Sequence, residues 1–362
     1  MKRVETKMAS KTKTLRSGFT TGVCAAAAAK AAMTVMLGNE APAKVTLALP
    51  GGEEVFIPVA VAEFGAESAQ AVVVKDAGDD PDITNGVAVS VSLAWSEGND
   101  VCFVAGEGVG MVTKPGLSVL PGEPAINPVP RRMITDAIRS MTDRGVTVTI
   151  SIPGGEELAK RTFNPRLGIT GGLSIIGTTG RVRPFSCSAI RESIRSVIEV
   201  TAAGGFTRPV VVPGHIGARS ARTLLRVREE EIIEVSNEWG FALDAIKEHS
   251  FEAILILGHP GKLAKLIRGQ WDTHSSRSPS ALPYVANMAE NLTGLRYTDI
   301  PTVEGILGAL SESNRRLLGD ELAANICEAV EERLEGKIQV AVVLVDMKGN
   351  LLGQKGDLTP WQ

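Results

Sequence analysis

The sequence is short of aromatics, cysteine and histidine, and each shortage excludes something. Aromatic side chains make up 4% of the 362 residues, and the formal net charge is -3. The chain therefore offers neither the stacking rings nor the basic excess that a nucleic-acid binder uses. Its four cysteines, Cys24, Cys102, Cys187 and Cys327, form no C-x-x-C pair. Neither a zinc site nor a disulfide framework is expected, and buried free thiols are the reading. The four histidines, His215, His249, His259 and His274, lack the spacing of ligands on one helix, so no protein-bound catalytic metal is expected. No apolar run is long enough for a bilayer: residues 23–37 are interrupted by Lys30 and too short to span one. Residues 1–13 carry Lys2, Arg3, Lys7, Lys11 and Lys13 with no apolar stretch behind them, which reads as a disordered tail rather than a signal peptide. A cytoplasmic protein with no membrane partner is the expectation.

What is present is an ordinary globular balance, 44% hydrophobic and 22% charged, in a chain long enough for two domains. The first, residues 14–204, alternates in period two at Val87, Val89, Val91 and Leu93 and again at Val146, Val148, Ile150 and Ile152, the mark of strands with one buried face. A helix is expected from Thr20-Thr21 to about Leu37, a second around Met133, Ile134, Ala137, Ile138 and Met141, and a third around Ile190, Ile194, Val197 and Ile198. This is an α+β pattern. Residues 45–54 and 148–157 share a strand running into Pro-Gly-Gly-Glu-Glu, which fits either a duplication or two hairpins of similar turn chemistry.

Residues 205–362 follow a different rule. Strands at 209–212, 231–235, 253–257 and 339–345 alternate with helical segments at 218–228, 241–248 and 262–267, and further helices fill 280–336. That order implies an α/β domain with a doubly wound, mainly parallel sheet of about four strands.

Four stretches carry chemistry. Ser17-Gly18-Phe19-Thr20-Thr21-Gly22 opens a helix and offers backbone N–H groups and two hydroxyls to an anion, although an N-cap with glycine turns gives the same pattern. Residues 75–86 hold Asp76, Asp79, Asp80 and Asp82; such a loop is either a solvated turn or a set of crowded carboxylates that raise one another's pKa and exchange protons. Glycines at 106–110, 116 and 168–180, with Arg181 and Arg183 just beyond, suit tight turns or a ligand-facing loop; the density favours the ligand. In the second domain, Gly214-His215-Ile216-Gly217 follows a strand, and Glu234 ends the next strand twenty residues after Gly214, where a carboxylate holds ribose hydroxyls in dinucleotide folds. Gly258-His259-Pro260-Gly261-Lys262-Leu263-Ala264-Lys265 makes a second strand-to-helix turn with two lysines near the rim.

Taken together, residues 16–30, 76–86, 106–116, 122–131, 162–169, 171–180 and 258–265 resemble the CbiD family, the cobalt-precorrin-5B C1-methyltransferases. The resemblance runs from about Thr14 to the end of the chain. Asn85 stands where the family often has histidine, and residues 213–219 depart from its usual loop. The resemblance implies a two-domain enzyme that moves a methyl group from S-adenosylmethionine to carbon 1 of a corrinoid, with the cobalt carried by the substrate. On that basis Asp79 and Asp80 are the expected proton-transfer residues. Thr20, Thr21, Lys30, Asp76, Thr84, Lys114, Thr178, Thr179, Arg181 and Arg183 are expected to bind the corrinoid, and Gly214, Gly217, Glu234, His259 and Lys262 the S-adenosylmethionine. A homo-oligomer and transient contact with neighbouring pathway enzymes both stay open. The competing readings are a corrinoid carrier without transferase activity and a small-molecule kinase using 106–110 as a phosphate cradle.

Overall fold

The computed structural model describes residues 15–184, 186–297 and 299–362, and the expected tail lies outside them. Met1–Thr113 with Ser118–Ser186 makes one compact unit, and Lys114–Leu117 with Cys187–Gln362 makes the other. The boundary thus falls at 186/187 rather than 204/205. The helix Cys187–Ala203 groups with the second unit because it packs on the helix Trp239–Lys247 and the strand Ile232–Glu234.

In the first unit a five-stranded sheet runs in the order Val61–Phe64, Ser68–Val74, Ala88–Trp95, Val146–Ser151, Val101–Ala105. All its pairs are antiparallel except the last, Val101–Ala105 on Val146–Ser151. The period-two positions point one way: Ala69, Ala71, Val73, Val89, Val91, Leu93, Val146, Val148 and Ile150 are all buried. Against them lies the helix Thr21–Met36, which is buried around nearly its whole circumference. It is enclosed by the sheet, the hairpin of Lys44–Ala48 and Glu54–Pro58, and the helix Pro128–Arg139. A helix that is apolar on every side belongs inside, and alanine lets neighbours approach it closely.

The two Pro-Gly-Gly-Glu-Glu segments part company after the shared strand. Residues 49–54 turn back as the hairpin, with Gly52 at positive φ; residues 152–157 start the short helix Gly155–Ala159, with Gly154 at positive φ. Only the first is a hairpin.

The second unit is built on the sheet order Ile232–Glu234, Val210–Val212, Ala253–Gly258, Gln339–Val345, Leu351–Lys355. The first four strands are parallel as expected. The fifth, which the sequence pattern did not reveal, is an antiparallel edge strand. Both faces are covered: Val210, Val212, Leu255 and Leu257 face one layer and Val211, Ile254 and Ile256 the other, all fully buried. The long helix Glu312–Arg333 lies on the edge strand through two glycines. A Cβ on Gly319 would sit 2.2 Å from the Leu352 oxygen, and one on Gly353 would sit 2.0 Å from the Gly319 carbonyl carbon.

One ion pair in the first unit fixes the acidic loop. Lys75 N–H donates to the Val87 oxygen at 2.9 Å and Gly86 N–H to the Lys75 oxygen at 2.8 Å, closing the loop's base. The Lys75 side chain, 1% exposed, donates to Asp82 at 2.6 Å. Asp82 also accepts from the Thr84 N–H at 2.7 Å and the Thr84 hydroxyl at 2.6 Å. Burial pushes the Asp82 carboxyl up, but the hydrogen bonds from Lys75 and Thr84 outweigh it and hold the carboxyl below its ordinary value. Asp82→Asn is expected to destabilise the protein by about 3 kcal/mol, because it leaves a buried ammonium without its counter-charge. A folded-state pKa below the unfolded one adds stability that is complete above about pH 4 and is lost as pH falls through the lower, folded value. Urea unfolding of both proteins from pH 7 down to pH 3 checks this: the difference between them should hold above about pH 4 and shrink below it.

Candidate functional site

In the first unit the helix Thr21–Met36 begins at a junction of three segments. Gly18–Phe19 pairs with Arg181–Val182, and Ser17 bridges Gly78, so the loops 76–80 and 176–181 flank residues 16–19. Arg16 ties the acidic side. Its guanidinium grips Asp76 through both carboxylate oxygens, and its N–H donates to Asp79 at 2.7 Å. The Arg16 hydrogen bonds, with a further one from the Gly78 N–H, hold the Asp76 carboxyl below its ordinary value. Asn85 accepts from the Ala77 N–H at 2.9 Å and so shapes the same loop. The expectation that crowding raises these carboxylates is reversed at Asp76 and Asp82, where cations, N–H groups and the Thr84 hydroxyl outweigh the effect of burial.

The helix start is already occupied by the protein's own groups. Thr20 caps it, accepting from the Val23 N–H at 3.3 Å. The Thr21 hydroxyl oxygen accepts from the Ile176 N–H at 2.9 Å, and the Gly22 N–H donates to the Ile176 oxygen at 3.0 Å. These groups fasten the loop 174–176 in place of an outside anion. Lys30 donates to the Thr46 oxygen at 2.8 Å, Arg181 pairs with Glu53 while its guanidinium lies 4.6 Å over the Phe19 ring, and Lys114 pairs at 2.9 Å with Glu230 inside the second unit. The Arg181 hydrogen bond lowers the Glu53 carboxyl, and the Lys114 hydrogen bond lowers that of Glu230. Of the cations expected at the corrinoid, Arg183 is exposed, as are Thr178 and Thr179, and its charge adds to that of Arg181 in lowering Glu53.

The glycine-rich segments turn out to pack on each other. Gly106 N–H donates to the Ile150 oxygen at 2.8 Å, Gly110 N–H to the Leu173 oxygen at 2.9 Å, and Leu173 N–H to the Gly108 oxygen at 2.8 Å. A Cβ on Gly172 would meet the Gly108 carbonyl at 2.2 Å. The density of glycine around 106–110 and 171–173 thus serves backbone-to-backbone packing, and the phosphate cradle of the kinase reading loses the Gly106, Val109 and Gly110 donors. Two motif residues missed as structural anchors explain the neighbouring stretches. Asn164 donates to the Gly172 oxygen at 3.0 Å, and Arg131 holds the Ile126 oxygen at 2.8 Å and Glu123 at 2.8 Å.

In the second unit the five expected residues converge. Val210–Val212 lies between Ile232–Glu234 and Ala253–Gly258, so the turns after these strands, 213–217, 235–238 and 258–262, emerge side by side where the strand order reverses. Gly214 has a φ of 148°, which favours glycine. A Cβ on Gly217 would sit 2.7 Å from the Leu257 oxygen and 2.9 Å from the Val212 Cβ, so glycine lets the helix His215–Leu224 lie tight on both strands. Glu234 ends its strand opposite Val212. The His259 Nδ1 accepts from the Gly261 N–H at 3.0 Å, which leaves Nε2 to carry the proton it shares with Glu304 at 2.8 Å. Lys262 reaches the Ser236 oxygen at 3.3 Å, and Lys265, expected near the rim, is instead 6% exposed. Burial, then the neighbouring Lys265 charge, pushes the Lys262 ammonium down. Among the described residues no group of three or more His, Cys, Asp or Glu side chains could hold a metal ion, and no helix is long and apolar enough to cross a membrane.

The sequence comparisons agree with one another. The profile of the CbiD family matches residues 8–184, and that of the CbiD C-terminal domain matches residues 272–356. A protein of Syntrophotalea carbinolica named cobalt-precorrin-5B C(1)-methyltransferase is 49% identical over 96% of this chain and 99% of its own length. One of the same name from Methanocaldococcus jannaschii is 43% identical over 93% of this chain and 95% of its own. The crystal structure of the cobalamin biosynthesis protein CbiD from Archaeoglobus fulgidus is 29% identical, covers 73% of this chain and 83% of that one, and superposes with a TM-score of 0.38, too low to support any statement about the fold. With both profiles matched and near-complete relatives above 40% identity, the chain belongs to the CbiD family.

Proposed function

We propose that the protein transfers a methyl group from S-adenosylmethionine to carbon 1 of cobalt-precorrin-5B, giving cobalt-precorrin-6A on the anaerobic route to cobalamin in the cytoplasm. The observation that carries this reading is the 49% identity, over 96% of the chain, with a relative of that name. S-adenosylmethionine supplies an electrophilic methyl on a sulfonium, and the displacement asks the protein for alignment and exclusion of water more than for a nucleophilic side chain. The lack of a nucleophile–base pair among the motifs suits that demand.

The division of labour we infer puts the nucleoside end in the second unit and the corrinoid end in the first. Gly214 and Gly217 allow close approach, Glu234 is suited to ribose hydroxyls, and His259 and Lys262 border the same strand ends. On the first unit, Arg183 with Thr178 and Thr179 is suited to the carboxylates of the corrinoid rim. Thr20, Thr21, Lys30, Asp76, Thr84 and Arg181 act behind that rim through the partners described above, whereas Lys114 is held within the second unit by Glu230. Asp76 and Asp82 are held below their ordinary values by Arg16 and Lys75 and by N–H and hydroxyl donors, and of the same loop we assign proton transfer to Asp79 and Asp80.

Three outcomes follow from this reading. S-adenosylhomocysteine and the corrinoid should each raise the melting temperature by mass action, about 2.7 kcal/mol of stabilisation at a hundredfold excess over Kd, while ATP should not. Stabilisation by the corrinoid alone would favour the carrier, and stabilisation by ATP the kinase. Arg183→Ala should weaken corrinoid binding up to about tenfold at low salt, with the loss fading as ionic strength rises. The double variant Asp79→Ala/Asp80→Ala should lose on the order of a hundredfold in turnover with binding retained; full turnover would remove these residues from the mechanism.

A further inference from the structure

Among the described residues two lysines are deeply buried, and they are treated differently. Lys75 in the first unit is met by the Asp82 carboxylate at 2.6 Å. Lys265 in the second unit, 6% exposed, donates to the Thr273 oxygen at 3.0 Å and the Ser278 hydroxyl oxygen at 2.9 Å, both uncharged. The Ser278 hydroxyl passes its own proton to the His274 oxygen at 3.1 Å, so it serves Lys265 purely as an acceptor. An ammonium has three protons, and the third has no protein partner among the described residues.

Lys262, one turn earlier, also lacks a carboxylate; its partner is the Ser236 carbonyl at 3.3 Å. Of the acids of this region, Glu304 pairs with His259 at 2.8 Å, and two others are engaged by arginines. Glu238, 4% exposed, takes Arg191 at 2.6 Å and Arg277 at 3.3 Å, and Asp272 takes Arg277 at 2.8 Å. The two ammonium groups repel each other, and neither has an ion-pair partner among the described residues. A buried charge without a counter-charge is expensive, and a chain that needed only packing would be better served by methionine at 265.

Their position gives that charge a use. Lys262 follows the strand Ala253–Gly258, and Ser236 follows Ile232–Glu234, the strands on either side of Val210–Val212. The lysine therefore bridges the turns that flank the carboxyl end of the middle strand, where the order reverses and ligands enter open α/β sheets. We propose that Lys262 and Lys265 form an anion site that binds a ligand carboxylate, with Lys265 as its buried floor. This inference rests on the proposed function only for the source of the carboxylate, which is either the amino-acid end of the methyl donor or a side chain of the corrinoid.

The test is calorimetric binding of S-adenosylhomocysteine, its decarboxylated analogue and the corrinoid to wild type, Lys262→Met and Lys265→Met, with folding of each variant checked by its melting curve. A loss of about tenfold or more for S-adenosylhomocysteine, with the decarboxylated analogue unaffected, identifies the donor's carboxylate. A similar loss confined to the corrinoid identifies the substrate's. Wild-type affinities for both in folded variants overturn the site. If Lys265→Met does not fold, Lys262→Met, at the less buried lysine, carries the same comparison. If wild type binds neither molecule, the methyltransferase reading fails, and malonate replaces them. A rise in melting temperature over chloride at equal ionic strength, absent in Lys262→Met, then supports the anion site, and no rise in wild type overturns it.

Discussion

The thickness of one helix sets the dimensions of the first unit. Thr21–Met36 is enclosed by a sheet, a hairpin and a second helix, and its positions 23–29 are at most 1% exposed. With larger side chains the neighbours on every side would be driven apart at once; alanine avoids this at no loss of helix propensity. The same enclosure fixes the helix start, because the N-terminal turn cannot reach water and must find partners within the protein. It finds them in Thr20, Thr21 and the loop 174–176. Through Phe19, whose N–H donates to the Asp76 oxygen at 2.8 Å, the acidic loop is drawn to the same place. The surface of this junction, with Arg183, Thr178 and Thr179 at its edge, is a consequence of packing the helix.

The second unit obeys a different constraint. Its parallel strands are buried on both faces, so a ligand has room only at their ends. Gly217 and Gly214 bring one turn close, Glu234 and the 235–238 turn stand on one side, and His259 with Lys262 stands on the other. The lysines are the electrostatic anomaly of this region. Glu238 and Asp272 are matched with arginines and Glu304 with His259, while Lys262 and Lys265 donate to carbonyl and hydroxyl oxygens.

Much of this was legible in the sequence because it rests on period and order. Alternation at 87–93 and 146–152 marked buried strand faces, and the order of strands and helices after residue 205 marked the parallel sheet. The residues around 214, 234 and 259 fell together because strand ends in a parallel sheet share one edge. Two kinds of fact were not legible. Glycine density cannot distinguish a backbone approaching a ligand from a backbone approaching another backbone, and 106–110 against 171–173 is the second case. Charge in a sequence also does not reveal its partner: Arg16 on Asp76, Lys75 on Asp82, Arg181 on Glu53 and Lys114 on Glu230 join residues up to 128 positions apart. The domain boundary was misplaced for a related reason, since Gly204-Gly205 ends a helix that belongs to the second unit by its packing. The lone positive charge at Lys265 became visible only with its burial.

Methyl transfer to carbon demands an aligned donor and acceptor in a site without competing water; we propose the parallel strand ends of the second unit for the nucleoside and the Arg183 surface of the first for the carboxylates. The direct test is anaerobic incubation of the purified protein with cobalt-precorrin-5B and methyl-labelled S-adenosylmethionine, following label and mass in the corrinoid. The account predicts one labelled methyl, at carbon 1. A corrinoid that is bound but gains no methyl, or gains it at another carbon, would contradict it.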